Sequence, residues 1–481
     1  MPTTSAPTTP TSPIAITGVG VVSPLGLGAQ AFWEGLVEGR CAIEAQPTPE
    51  LPAHARFQAR APALDMREHL PRAYRKFARL MARDSELAVV AANLAAAHAG
   101  WPGPMDEASQ RPCAPECLAA HVGAALIAPD IPELARAMHA AADADGNWDM
   151  ARWGEHGMGQ LTPLWMLKFL PNMLACHISI LHQAKGPSNT ITAGEASGLL
   201  SIAEAVRIIE RGDAHAALAG SGDSRTNHLA IERLRLIGRL ATPPQDADPA
   251  SIVRPYDPAA PGSVAGEGAA IFTLERPGAA RDRGVTPIAS ILGSGCSQAI
   301  PTNPGSGAPA LPGLGARAGG VGGVGGVGGV GGSDDGMGEA LARAISIALR
   351  RAGLGPDDLD AAFVHAAGEP ALDSAEALGL MGALGTRTAG LELAWITPNL
   401  GETMAAGGSL LAAAAALSLH HQRLPARLGP HDAPGNGAGS GGTPWSEVNA
   451  TARPSTPASL RHVLVATSAL GGQCAALVLG A

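Results

Sequence analysis

The sequence predicts an α/β protein, and three observations carry that prediction. Short apolar, β-branched runs alternate with amphipathic helical stretches along the whole chain, the pattern of interleaved strands and helices rather than of an all-β or all-α fold. The stretch TITAGEASGLLSIAEAVRIIERGDAHAALAGSG, residues 190–222, compresses that alternation into one unit of strand, sharp turn, helix and strand. Composition agrees: hydrophobic residues make up 46% and charged residues 16% of the 481 positions, and Gly contributes 62 of them, which suits closely packed layers.

The elements follow in order. Residues 1–13 (MPTTSAPTTPTSP) carry no positive charge and no apolar core, so they are expected to be a disordered tail rather than a signal peptide. Ile14 to Gly20 reads as a buried strand, followed by a Gly/Pro loop, VVSPLGLG. This is not a dinucleotide fingerprint, because Ser23 stands where the third glycine of G-x-G-x-x-G is required. Ala31 to Glu38 is expected to be a helix, residues 74–100 one long helix, and His121 to Ile127 a strand. Residues 130–160 read as polar and helical, a cap or lid, and 161–187 as an apolar helical region.

Within 190–222, Ile191 to Ala193 suits a strand, and from Ser197 the period becomes helical. Leu199, Ile202, Val206 and Ile209 fall on one face, Gly212 is the expected stop, and Ala214 to Ala219 is a second strand. Glu195 therefore sits where a strand turns into a helix, near the helix N-terminus, where backbone N–H groups favour negative charge. Further on, 252–276 reads as a Gly/Pro loop and a strong strand, 337–354 as a helix, and DLDAAFVHAAG as a strand ending at His365. Ser409 to Leu419 is an Ala-rich buried helix, and the last twenty residues form two strands around a Gly-Gly turn. Residues 302–332 end in a Gly/Val repeat, so 319–332 is expected to be a low-complexity loop, and 427–458 is a second Gly/Pro/Ser-rich loop. The layout divides into two halves, 14–275 and 285–481.

Several function classes are excluded. Net charge is −9 with no Lys/Arg run, which argues against nucleic acid. No apolar run is long enough to span a bilayer, so no membrane insertion is expected. Six scattered cysteines without a framework spacing read as reduced thiols in a cytoplasmic protein. Cys113 and Cys117 lack further ligands nearby, so no metal is expected, and no cofactor motif is present. GEASG is not the G-x-S-x-G of a serine hydrolase.

Six stretches, in order, resemble one family. IAITGVGVVSPLGLGAQAFWEGLVEGR, LPNMLACHISILHQAKGPSNTITAGEASG, RPYDPAAPGSVAGEGAAIFTLE, VHAAGEPALDSAEA, TPNLGETMAAGGS and SALGGQCAALVL are similar to the successive motifs of the β-ketoacyl synthases of fatty acid and polyketide assembly. The resemblance implies a thiolase-like fold, two similar α/β halves in an α/β/α/β/α core. It also places the family's reacting groups. The nucleophilic cysteine, which carries the acyl chain as a thioester, falls on Glu195. The first histidine is kept as His365, the lysine falls on Thr397, and the second histidine falls on Glu402. The carboxylate that pairs with that lysine is Glu376, here without its partner. Asp373 and Glu376 are read as structural, bonding loop backbone, and His365 as a hydrogen-bonded relic. The gate keeps Gly471 and Gly472, with Leu470 in place of a phenylalanine.

With Cys, Lys and the second His replaced, the resemblance implies a subunit inactive on its own. Two negative charges, Glu195 and Glu402, would face a malonyl carboxylate and repel it. Glu195 either imitates a charged or acylated cysteine and seals the pocket, or simply stabilises a helix end. The function this implies is that of a chain length factor. It would form a heterodimer with an active ketosynthase, serve an acyl carrier protein in fatty acid, polyketide or aryl-polyene assembly, and shape the partner's tunnel with Trp165 and Phe169. The alternative is a β-ketoacyl synthase or malonyl decarboxylase with an altered site.

Overall fold

The computed structural model describes residues 13–48, 50–106, 112–299, 336–429 and 448–481. All but Pro13 of the expected tail, the 319–332 loop, and 430–447 of the second loop lie outside the described residues.

The main elements are β1 (Ile14–Ser23), α1 (Gly28–Val37), α2 (Arg83–His98), β2 (Leu118–Gly123), α3 (Met173–His182), β3 (Ser188–Ile191), α4 (Ser197–Arg211), β4 (Ala216–Ser224), α5 (His228–Leu236), β5 (Ala265–Glu275) and β6 (Ala289–Gln298). They continue with α6 (Met337–Ala352), β7 (Ala361–Val364), α7 (Pro370–Leu384), β8 (Glu392–Ala394), α8 (Gly407–His421), β9 (His462–Ser468) and β10 (Gln473–Gly480). Among the described residues the strands join along the path β8-β7-β9-β10-β6-β1-β5-β4-β2-β3. The path is mirrored about the antiparallel β1–β6 pair. On one side β1–β5 and β5–β4 are antiparallel and β4–β2 and β2–β3 parallel; on the other, β6–β10 and β10–β9 are antiparallel and β9–β7 and β7–β8 parallel.

Helices α4 and α8 pack between the two halves of the sheet, α2 and α3 cover one outer face, and α6 and α7 the other. The central position explains the sequence of α8, whose residues from Gly408 to Leu419 are all buried; a helix that is apolar all round belongs inside. Gly198 lets α4 approach α8 closely, since a Cβ there would meet Ser409 Oγ at 2.4 Å.

Most expected elements form, with shifted bounds. Helix α4 starts at Ser197 and stops at Gly212 as expected. Val21 to Ser23, expected in a loop, extends β1, because these residues keep pairing with β5 and with Gly26–Leu27. The strand expected at His121 to Ile127 lies earlier, at β2, where β3 and β4 both pair with it. The strand expected at Ile191 to Ala193 is β3, which ends at Ile191; Ser197 Oγ then accepts from Ala193 N at 2.8 Å and turns the chain. The strand expected at Ala214 to Ala219 runs instead from Ala216 to Ser224.

The single helix expected over 74–100 is two. A tight 3-10 stretch covers Arg75–Leu80, Ala82 is extended, and α2 begins at Arg83. Arg83 is held there by Glu267 Oε1 at 2.8 Å and by the Ala61 and Pro62 carbonyls, tertiary contacts that override local propensity. The apolar region 161–187 likewise divides into Trp165–Lys168 and α3. No helix among the described residues is long and apolar enough to cross a membrane.

Candidate active site

Three loops converge on one cavity. The first is the turn between β3 and α4, which presents Glu195. The second follows β7 and presents His365. The third follows a short helix, Thr397–Leu400, and presents Glu402. Glu195, His365, Thr397 and Glu402 line one cavity, together with Thr403, Thr467 and an apolar wall that includes Ile396, Leu400 and Leu411. The cavity measures about 10 Å³, room for about one water molecule.

Glu195 and Glu402 are both buried, and each has a basic partner. Arg239 Nη2 donates to Glu195 Oε1 at 2.5 Å, with the two residues 2% and 1% exposed. His365 Nε2 lies 3.0 Å from Glu402 Oε2. Burial opposes charging of His365, but the Glu402 carboxylate, with help from Glu195 and Glu376, raises it to about 9. Burial also opposes charging of Glu402, yet His365, Arg239 and the N–H of Met404, donated at 2.7 Å, pull it down to about 2. Each acid thus faces a basic side chain, Glu195 against Arg239 and Glu402 against His365. The repulsion expected from Glu195 and Glu402 towards a malonyl carboxylate is offset by these partners, Arg239 and His365.

Arg239 was not singled out in the sequence. It follows α5 in a Schellman turn: Gly238 N donates to Arg235 O, and Arg239 N to Leu234 O at 3.0 Å. The signal is the Ile-Gly-Arg that closes the helix, which fixes Arg239 one residue beyond a helix stop; its length then lets it reach Glu195, 44 positions away in sequence.

Glu376, expected to lack a partner, is fully engaged. Its Oε1 accepts from His365 N at 2.9 Å, and its Oε2 accepts from Ala366 N at 2.9 Å and from Tyr256 Oη at 2.7 Å. Tyr256, which lies in the RPYDP stretch, takes the place of a cation. Asp373 Oδ2 accepts from Tyr256 N at 2.9 Å and Gly368 N at 3.2 Å. Thr397 Oγ1 donates to the carbonyl of His365 at 2.6 Å. These bonds hold a strained loop, since Ala366 and Tyr256 both have positive φ, at 51° and 56°.

Other singled-out residues lie elsewhere in the chain. Leu470, Gly471 and Gly472 form the turn between β9 and β10; Gly471 O accepts from Gln298 Nε2 and Gly472 O from Ala299 N, and none of the three lines the Glu195 cavity. The Trp165 and Phe169 rings pack 5.1 Å apart. Phe169 flanks a separate surface groove of about 1110 Å³, with Leu64, Ile131, Lys168 and Glu267. Among the described residues no cluster of three or more His, Cys, Asp or Glu could hold a metal ion.

Chemically the site offers no thiol, hydroxyl or amine nucleophile beside a free base. The His365 Nε2 is committed to Glu402, and the cavity has no room for an acyl chain.

Comparison with known proteins places this geometry. Residues 11–280 match the family model of the β-ketoacyl synthase N-terminal domain, and residues 329–430 that of the β-ketoacyl synthase C-terminal domain. The tetracenomycin polyketide synthase ketoacyl synthase beta subunit of Streptomyces glaucescens is 26% identical over 434 residues, 89% of this chain and 90% of that protein. Among solved structures, the ishigamide ketosynthase/chain length factor superimposes with a TM-score of 0.74 at 22% identity, covering 98% of this chain and 99% of that one. A type II polyketide ketosynthase in complex with its acyl carrier protein superimposes with a TM-score of 0.74 at 18% identity, covering 98% and 100%. At these identities the two structures establish a shared fold.

Proposed function

We propose that this chain, which belongs to the β-ketoacyl synthase family, is a non-catalytic subunit of the chain-length-factor type that pairs with an active β-ketoacyl-acyl-carrier-protein synthase in polyketide or related assembly. One observation carries the reading: Glu195, which by resemblance takes the place of the family's thioester-forming cysteine, is locked to Arg239 in a cavity of about 10 Å³. A thioester-linked acyl intermediate has neither its sulfur nor space there.

The surface supports a paired subunit. Strand β3 is a sheet edge, and its Ser188 and Asn189 are exposed; such an edge invites pairing with another strand. Leu126, Leu164 and Met166 are 61%, 51% and 65% exposed, an apolar surface of the kind that marks an interaction site. Trp165 and Phe169 lie on the same 161–170 segment, and on this reading they border the partner's acyl tunnel. Leu470, Gly471 and Gly472 keep the shape of the gate without a reaction to gate. The mirrored strand order supports taking 14–275 and 285–481 as the two halves of the fold. The six cysteines are free thiols, which suits a cytoplasmic site of action.

The test is co-expression of this chain with an active synthase encoded beside it and with the acyl carrier protein. We expect the synthase to need this chain for solubility or for its product length, and expect the products to change when Trp165 or Phe169 is replaced by Ala. An unchanged yield and chain length without this subunit would overturn the proposal.

A further inference from the structure

We propose that Arg239 and His365 form a receptor for a small carboxylate, and that the Glu195 side chain is its built-in ligand. The inference deepens the reading of the site as closed to acyl chains and rests on it.

The geometry is that of a ligand held by a tether. Arg239 grips Glu195 through Nη2 alone; its Nε and Nη1 are buried without a hydrogen-bond partner among the described residues, and so is Glu195 Oε2. A guanidinium and a carboxylate ordinarily meet as a two-pronged fork. Here the position of Glu195 at the β3–α4 turn leaves the contact one-pronged. A free carboxylate, not tied to that backbone, could turn to meet two guanidinium nitrogens. The Thr467 hydroxyl, buried and also without a partner among the described residues, faces the same cavity and offers a further hydrogen bond. His365, engaged with Glu402, lines the same cavity and keeps its positive character there.

Size selects the ligand. The space beside the pair is only about 10 Å³, so the intact site admits nothing larger than water. Glu195→Ala removes Cγ and the carboxylate, the same set of heavy atoms that acetate brings. The receptor uncovered by that change should therefore take acetate or formate and exclude longer or neutral molecules. Left empty, it would bury a guanidinium that has lost its hydrogen-bonded carboxylate, which is unfavourable.

The experiment uses the full-length chain carrying Glu195→Ala, melted in sodium acetate, in acetamide, and in sodium chloride at matched ionic strength. Acetate is expected to raise Tm by several degrees and to saturate with half-effect in the millimolar range, as a few heavy atoms allow. Acetamide and chloride should not, and the unmutated protein should show no acetate-specific effect. Adding Arg239→Met should abolish the acetate response. An acetate effect no larger than that of chloride, or one that survives Arg239→Met, would overturn the proposal. If Glu195→Ala does not remain folded, its yield on refolding from urea becomes the readout: higher recovery in acetate than in acetamide supports the receptor, and equal recovery overturns it. This readout involves neither partner nor product, so its failure is separable from failure of the pairing proposal.

Discussion

His365 and Glu402 form a buried ion pair, Nε2 to Oε2 at 3.0 Å, in which burial disfavours both charges and each charge sustains the other. Around it stand a second pair, Glu195 with Arg239, and a carboxylate, Glu376, that organises the loop carrying His365. The pocket is thus filled with internal bonds.

The first consequence is a pH dependence of stability. His365 rises from about 6.5 in an unfolded chain to about 9 when folded, so the folded state holds an extra proton in that window. Its contribution is complete below about 6.5 and is lost as pH rises through 9. Burial also raises Asp84 and Asp373 to about 8, so both act in the same direction, losing their contribution as pH rises through 8. Glu402, depressed to about 2, contributes fully above its ordinary value and is lost only as pH falls through 2. Tm should therefore decline from pH 6.5 to 9.5, and His365→Gln should flatten part of that decline. A profile rising across the same interval would contradict the pairing.

The isolated chain should not become acylated by acyl carrier protein thioesters and should not condense malonyl units. Glu195→Cys alone should not create a synthase, because the new thiol would share its pocket with an unpaired Arg239 and a His365 already bound to Glu402. Intact mass spectrometry after incubation with acyl donors, alongside a product assay, checks both statements; an adduct at position 195 in the unmutated protein would refute the first.

Glu376→Ala should destabilise the fold by about 3 kcal/mol, since two backbone N–H groups and the Tyr256 hydroxyl lose a buried acceptor together. Tyr256→Phe removes one of those bonds and should cost about 1 kcal/mol. Urea unfolding of both variants gives the comparison, and equal losses would mean that the carboxylate does not organise the loop.

Gly198→Ala should cost about 1–3 kcal/mol through overpacking. The added methyl would fall 2.4 Å from Ser409 Oγ and 2.6 Å from Ser221 Oγ, inside the contact between α4 and α8. A neutral substitution, by thermal or urea melting, would mean that the two central helices can separate without loss.

Much of this was legible in the sequence. The period of Leu199, Ile202, Val206 and Ile209 and the stop at Gly212 placed α4 to the residue, and the motif order placed Glu195, His365, Thr397 and Glu402 near each other. Local pattern did not see tertiary contacts. The split at Ala82 depends on Arg83 reaching Glu267, a residue 184 positions away. The ends of β2 and β4 depend on which neighbours continue to pair. The charge balance was misjudged for the same reason: Glu195 and Glu402 stand in recognisable motifs, while Arg239 stands in a loop that no motif covers. Tyr256 was visible within RPYDP, but only its fold-back onto Glu376 reveals its place.

The two pairs also act as one unit, since Arg239 helps hold Glu402 ionised and Glu195 helps hold His365 protonated. Glu195 and Arg239 are both buried, and removing one member of such a pair costs about 3–5 kcal/mol. Replacing Glu195 by cysteine takes from Arg239 its hydrogen-bonded carboxylate, and replacing Glu402 by histidine sets a second imidazole against His365. Positions 195, 239, 365 and 402 are therefore energetically coupled: the effects of changing two of them together should not equal the sum of the single changes.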